Sequence, residues 1–173
     1  MQKEELKAIQ IPLKEKYKQE PESALVTLRA KSSLGDGISC KIDTGRELIK
    51  AGLHPATGGD GSLACSGDML LEALCACAGV TLGAVSTSMG IQVRGGQISA
   101  EGDLDFRGTL GVSKDAPVGF KEIRLRFEVD CDADEEALAT LLKLTERYCV
   151  VFQTLANPGS LRASIHNSSS QGN

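Results

Sequence analysis

A chain of 173 residues has the length of one domain, able to bury about 70% of its unfolded surface in a single core and too short for two large ones. Apolar residues at 41% and charged residues at 24% are ordinary for a globular protein, but with no Trp, four Phe and two Tyr the core must be built from Leu, Val, Ile and Ala. A formal charge of −4, with no Lys or Arg block beyond the mixed N-terminus, argues against a nucleic-acid surface, which needs a basic stripe to displace counterions.

The expected organisation is a charged N-terminal arm over residues 1–22, a single domain over 23–166 and a polar tail over 167–173. The start MQKEELKAIQ lacks the apolar core of a signal peptide, so a cytoplasmic location is expected. From Ala24 the pattern turns to short extended runs: ALVTLRA, an SSLGDG turn, ISCKID with Ile38, Cys40 and Ile42 on one face, a TGR turn and ELIKAGL. They predict an N-terminal antiparallel meander.

The glycine-rich loop HPATGGDGSLACSGD leads into a long helix over about Gly67–Met89, with Ser66 as the expected N-cap and Gly90 as the stop. Asp68 and Glu72 suit the positive end of its dipole. Its apolar residues surround the axis, which predicts burial on every side and therefore a second layer or a second subunit across it. Glycines, hydroxyls and Glu72 interrupt the run, unlike a membrane span.

Two alternating strands follow, one carrying Ile98, Ala100, Gly102, Leu104 and Phe106, the other Phe120, Ile123, Leu125, Phe127, Val129 and Cys131. Asp132 or Asp134 then caps a second helix, with Leu138, Leu141, Leu142, Thr145, Tyr148, Cys149 and Phe152 at spacings of three and four, ending before Asn157. LRASI is expected to add a last strand. Strands, buried helix, strands and helix in that order define an α+β fold, with helices gathered on one side of antiparallel sheets.

Six cysteines without a secretory signal are expected to be reduced and are weighed singly. Cys40 and Cys131 fall on the inward faces of strands and read as small hydrophobes. Cys65 sits in the glycine-rich loop with no evident partner. Cys75 and Cys77 are two helical steps apart, about 200°, so they point to opposite sides and cannot chelate one metal. His54 and His166 are too isolated to complete a zinc site, and neither metal nor cofactor is expected. Core packing and thiol chemistry are both open for Cys77 and for Cys149. A reactive Cys77 at mid-helix would need help from the fold, and Arg29 and Arg46 are the cations available to lower its pKa.

SGDMLLEALCACAGVTL resembles the central-helix signature of the OsmC/Ohr family of osmotically induced and organic hydroperoxide resistance proteins, and ERYCVVFQTL resembles the family's second cysteine segment. The element order matches over about 24–165. The resemblance implies an OsmC-like fold, with antiparallel sheets packed on two long central helices in an intertwined homodimer whose active sites lie at the interface. It places Cys77 as the peroxidatic cysteine, oxidised by an organic hydroperoxide to a sulfenic acid, and Cys149 as the resolving one. An external dithiol would reopen the disulfide. Where the family often carries Pro and Glu, this chain has Ser66 and Gly67. Asp68 is then the neighbouring candidate to orient an activating arginine, and Arg29 the candidate arginine. An apolar lining near Leu74, Val80 and Phe152 would suit organic peroxides. The expected activity is a thiol-dependent peroxidase of oxidative stress defence, with neither nucleic acid nor membrane as partner. The alternatives are a noncatalytic module that binds an apolar small molecule at the dimer interface, and a redox sensor.

Overall fold

In the computed structural model, residues 3–34, 40–42 and 51–165 are described. They form α1 (Lys3–Gln19), a 3-10 turn at Pro21–Ala24, β1 (Leu25–Leu34), β2 (Cys40–Ile42), β3 (Ala51–Gly52), a 3-10 turn at Pro55–Thr57 and β4 (Ala64–Cys65). Then come α2 (Ser66–Met89), β5 (Val93–Asp105), α3 (Phe106–Thr109), β6 (Phe120–Cys131), α4 (Glu135–Tyr148) and α5 (Val150–Ala156). Gly35, Asp36 and Gly37 of the SSLGDG turn, Ile38, the TGR turn with Arg46, most of ELIKAGL, and His166 with the tail lie outside the described residues.

The main sheet is antiparallel, in the order β2-β1-β5-β6, and the fold is α+β as the pattern predicts. Strict alternation on β5 puts Ile98, Ala100 and Leu104 on the buried face, opposite Phe127, Leu125 and Phe120 of β6. The N-terminal meander is only half realised. β1 and β2 pair antiparallel, but the other edge of β1 is taken by β5, while β3 pairs in parallel with β4 as a separate two-stranded sheet.

Helix α2 lies against β1, β5, α4 and α5. The N-cap is Cys65 rather than Ser66, and the Cys65 side chain makes no capping bond. Gly90, at φ 71°, closes the helix in the left-handed conformation that favours glycine, with Ile91 N–H reaching Ser86 O at 2.9 Å. Leu71, Leu74, Cys75, Ala78, Leu82 and Ser86, three or four apart, form the buried stripe. Each fully buried leucine stabilises the packing by about 1.5–3 kcal/mol relative to exposure. The expected burial on every side is not met within one chain, because Leu70, Ala73, Val80 and Ala84 form a second apolar line that faces outward. By length and composition alone α2 could cross a membrane, a test that the core helix of a globular protein also passes. Its buried stripe is that of a core helix.

Three further differences have local causes. The charged N-terminal segment is a docked helix: Tyr17 is buried, and its hydroxyl donates to Ala56 O at 2.7 Å. The single long second helix is broken in two. Asp134 caps α4 by accepting from Ala137 N–H at 2.8 Å, but Cys149 adopts an extended conformation (ψ 108°) that ends α4 and starts α5. The LRASI segment forms no strand. It follows Pro158 and Gly159 and finds no strand edge among the described residues, so Leu161 and Ile165 stand in solvent.

Candidate thiol site

Cys75 and Cys77 leave α2 in different directions, as helical geometry requires. Cys75 is fully buried in the core, whereas Cys77 is half-buried and packs at the edge of the core cluster. Facing Cys77 is the break between α4 and α5, with Cys149 at its corner. The Cys149 thiol is buried and near enough to the Cys77 sulfur for each to shift the other's pKa. The Cys149 sulfur in turn accepts from Phe152 N–H at 3.5 Å and so caps α5.

Interrupting the helix has a chemical effect, because the first amides of a helix have no intrahelical acceptor. Two of them, the N–H groups of Val150 and Val151, lie near enough to the Cys77 sulfur to favour its thiolate. Burial pushes the Cys77 thiol up. The Val151 amide, the Cys149 thiol, the Val150 amide and the Thr81 hydroxyl, polar groups near its sulfur that favour the thiolate, outweigh that, and its pKa falls below the ordinary cysteine value. Cys149 moves the other way. Burial raises it to about 11, against the opposing Phe152 amide and with a further rise from neighbouring Cys77. At neutral pH the pair therefore divides into a thiolate-prone acceptor and a protonated donor.

A donor to the thiolate stabilises only the deprotonated form, so removing it raises the pKa. In a Thr81→Val variant the pH midpoint for iodoacetamide alkylation of Cys77, followed by mass spectrometry, is expected to move to higher pH, with Cys77 still labelled before Cys149. An unmoved midpoint would show that the Thr81 hydroxyl does not serve the thiolate.

The other residues singled out in the sequence lie apart from this pair. Asp68 is nine residues along α2 from Cys77, about 13 Å at 1.5 Å per residue. Burial raises its pKa, and its electrostatic neighbour is His54. Gly67 is at the same end of the helix. Arg29 lies on β1 opposite Glu101. Cys65 caps α2 and Cys131 ends β6. His54 is satisfied locally: its ring stacks on Phe106 with centroids 4.8 Å apart, and Nδ1 accepts from Ala56 N–H at 3.0 Å. Burial lowers its pKa and Asp68 opposes this. Among the described residues, no three His, Cys, Asp or Glu side chains converge as a metal site would require.

Sequence reasoning missed Thr81 and the two amides. Thr81 was accessible to it, being four residues after Cys77 and hence on the same helix face. The amides follow from the helix break, whose only trace is the β-branched pair Val150–Val151, poorly suited to a helix interior.

Two cavities flank the central helix. One, of about 490 Å³, is lined by Leu74, Phe120, Ile123, Leu125, Phe127 and Phe152, with polar neighbours such as Glu146. Val80 is not among its walls and is exposed on the far side of α2. The other, of about 420 Å³, lies towards the start of α2 and is lined by His54, Cys65, Leu70, Leu104, Phe106 and Phe120, among others. Both volumes fall in the range of about 300–1,000 Å³ occupied by small-molecule sites.

The chain belongs to the OsmC-like protein family, whose family model matches residues 59–163. Two solved structures share the fold. The chain is similar to an OsmC-like hydroperoxide resistance protein from Jannaschia sp. CCS1, with a TM-score of 0.59 and 14% identity, covering 84% of this chain and 95% of that one. It is also similar to an OsmC-like protein from Mycoplasma pneumoniae, with a TM-score of 0.55 and 16% identity, covering 78% of this chain and 86% of that one. No curated protein matches the chain.

Proposed function

We propose that the protein is a cytoplasmic, homodimeric thiol peroxidase that reduces organic hydroperoxides through Cys77 and Cys149. The observation that carries this reading is the placement of Cys77 on α2 opposite the α4–α5 corner, where Cys149 is buried and caps α5 and the two thiols shift each other's pKa in opposite directions. The Cys77 thiolate attacks the terminal peroxide oxygen. An S–O bond forms, the O–O bond breaks, and the departing alkoxide takes a proton from solvent and leaves as an alcohol. Cys149 then attacks the sulfenic sulfur, forming the S–S bond as the hydroxyl departs with the Cys149 proton as water. An external dithiol returns two electrons and restores both thiols.

In this reading, the four polar groups near the Cys77 sulfur replace much of the charge stabilisation an arginine would supply, while Arg29 on β1 is the proposed additional cation. Asp68, about 13 Å along the helix from the Cys77 of its own chain, is proposed to act across the dimer. The outward apolar line Leu70, Ala73, Val80 and Ala84 on α2, with Cys77 in the same row, supports a second copy packed over the site.

Titration of the reduced protein with cumene hydroperoxide, with mass-spectrometric mapping of the cysteines, tests the proposal. One equivalent is expected to yield a Cys77–Cys149 disulfide that dithiothreitol reverses, with Cys75→Ser behaving as wild type. If Cys77 stays reduced while other cysteines oxidise, the proposal fails and a noncatalytic binding module becomes the better reading.

A further inference from the structure

The two cavities share one wall. Phe120 lines both, and Leu70 and Leu74, one helical turn apart on α2, mark their neighbouring ends. The ring lies where it does because Gly102, beneath it on β5, has no side chain. A Cβ at Gly102 would stand 2.5 Å from both Cδ1 and Cε1 of Phe120, well inside contact distance. Gly102 belongs to the face of β5 that carries Ala100 and Leu104 towards α2. The aromatic ring therefore fills the gap between sheet and central helix at the boundary between the cavities. Apart from this ring, Leu104 and Phe106 on one side and Ile123, Leu125 and Phe127 on the other continue the same apolar floor.

We infer that Phe120, seated over Gly102, partitions one long apolar cleft and sets the length of the unbranched ligand chain the protein accepts. With the ring in place, a chain entering beside Phe152 ends at Phe120. With it removed, the same chain continues towards Leu70 and His54, and the joined volume approaches the upper end of the small-molecule range. The inference deepens the proposed function by taking the Phe152 side as the substrate side, but the partition itself is a property of binding and does not need Cys77 to react.

Binding of straight-chain alcohols from hexanol to tetradecanol, measured by displacement of a fluorescent apolar dye, separates the two. In the wild-type protein affinity is expected to rise about fourfold per methylene, the equivalent of about 0.8 kcal/mol, and then to level off at the length that fills one cavity. In Phe120→Ala the levelling-off is expected at longer alcohols, and Phe120→Leu, which keeps the core apolar, guards against a variant that fails to fold. Gly102→Ala is expected to change the levelling-off length with the ring still present, because the added methyl displaces it. The same levelling-off length in all four proteins, or no alcohol binding by the wild type, would overturn the partition. An unmoved length with normal Cys77 oxidation sinks the partition alone. A moved length with Cys77 inert to hydroperoxide sinks the peroxidase alone.

Discussion

Cys77→Ser is expected to abolish dithiol-dependent consumption of an organic hydroperoxide, lowering the rate by about a thousandfold or more, as when a covalent nucleophile is removed. The serine hydroxyl can occupy the same place and accept the same amides, but at neutral pH it is hardly ever an anion. Its oxygen is also a poor nucleophile towards a peroxide O–O bond. Because the replacement is nearly isosteric at a half-buried position, the loss should come without a comparable fall in melting temperature, and that pairing is the measurement to make. Cys75→Ser is the converse control. It places a hydroxyl in the core, where Cys75 is fully buried, so a penalty in stability is expected with Cys77 chemistry retained. Steady consumption by Cys77→Ser at the wild-type rate would move the nucleophile elsewhere.

The second large effect is expected at Cys149. Serine can take over both structural duties of this residue, accepting from Phe152 N–H as the cap of α5 and placing a polar group near the Cys77 sulfur. The Cys149→Ser protein should therefore fold and react once with a stoichiometric amount of hydroperoxide. It cannot form the disulfide. The sulfenic acid at Cys77 then waits for a second peroxide, and repeated additions are expected to convert Cys77 to the irreversible sulfinic form while turnover decays. Intact-mass spectra during successive additions decide the matter. Sustained turnover without sulfinic acid would mean that Cys149 does not resolve the intermediate. Cys149→Ala removes donor and cap together and is expected to raise the pKa of Cys77 as well, because one of the groups favouring the thiolate is lost.

What the sequence reveals differs from element to element. The alternation of β5, and of β6 from Ile123 onward, encodes which faces are inward, and two steps of a helix suffice to part Cys75 from Cys77. The capping chemistry of Asp134 and Gly90 is likewise local and readable. The corner at Cys149 is not, because its helical spacing continues through Phe152 without a proline or glycine to mark a break. Only the tertiary position of Cys77 and the capping bond to Phe152 N–H give the interruption meaning. The seat of Phe120 is equally hidden: Gly102 reads as one more small residue in an alternating strand until the ring from β6 is placed over it. The charge of the N-terminal arm likewise hides its docking, which a single aromatic residue, Tyr17, fastens.

That fastening reaches further than the helix itself. The Tyr17 hydroxyl holds the carbonyl of Ala56, Gln10 reaches the carbonyl of Thr57 at 3.3 Å, and the same turn presents His54 and Thr57 to the second cavity. Helix α1 thus acts as an outer brace for a cavity wall made of a short turn. A change in α1 that loosens Tyr17 or Gln10 would therefore be felt at the wall of the second cavity, on the side of α2 away from the thiol pair.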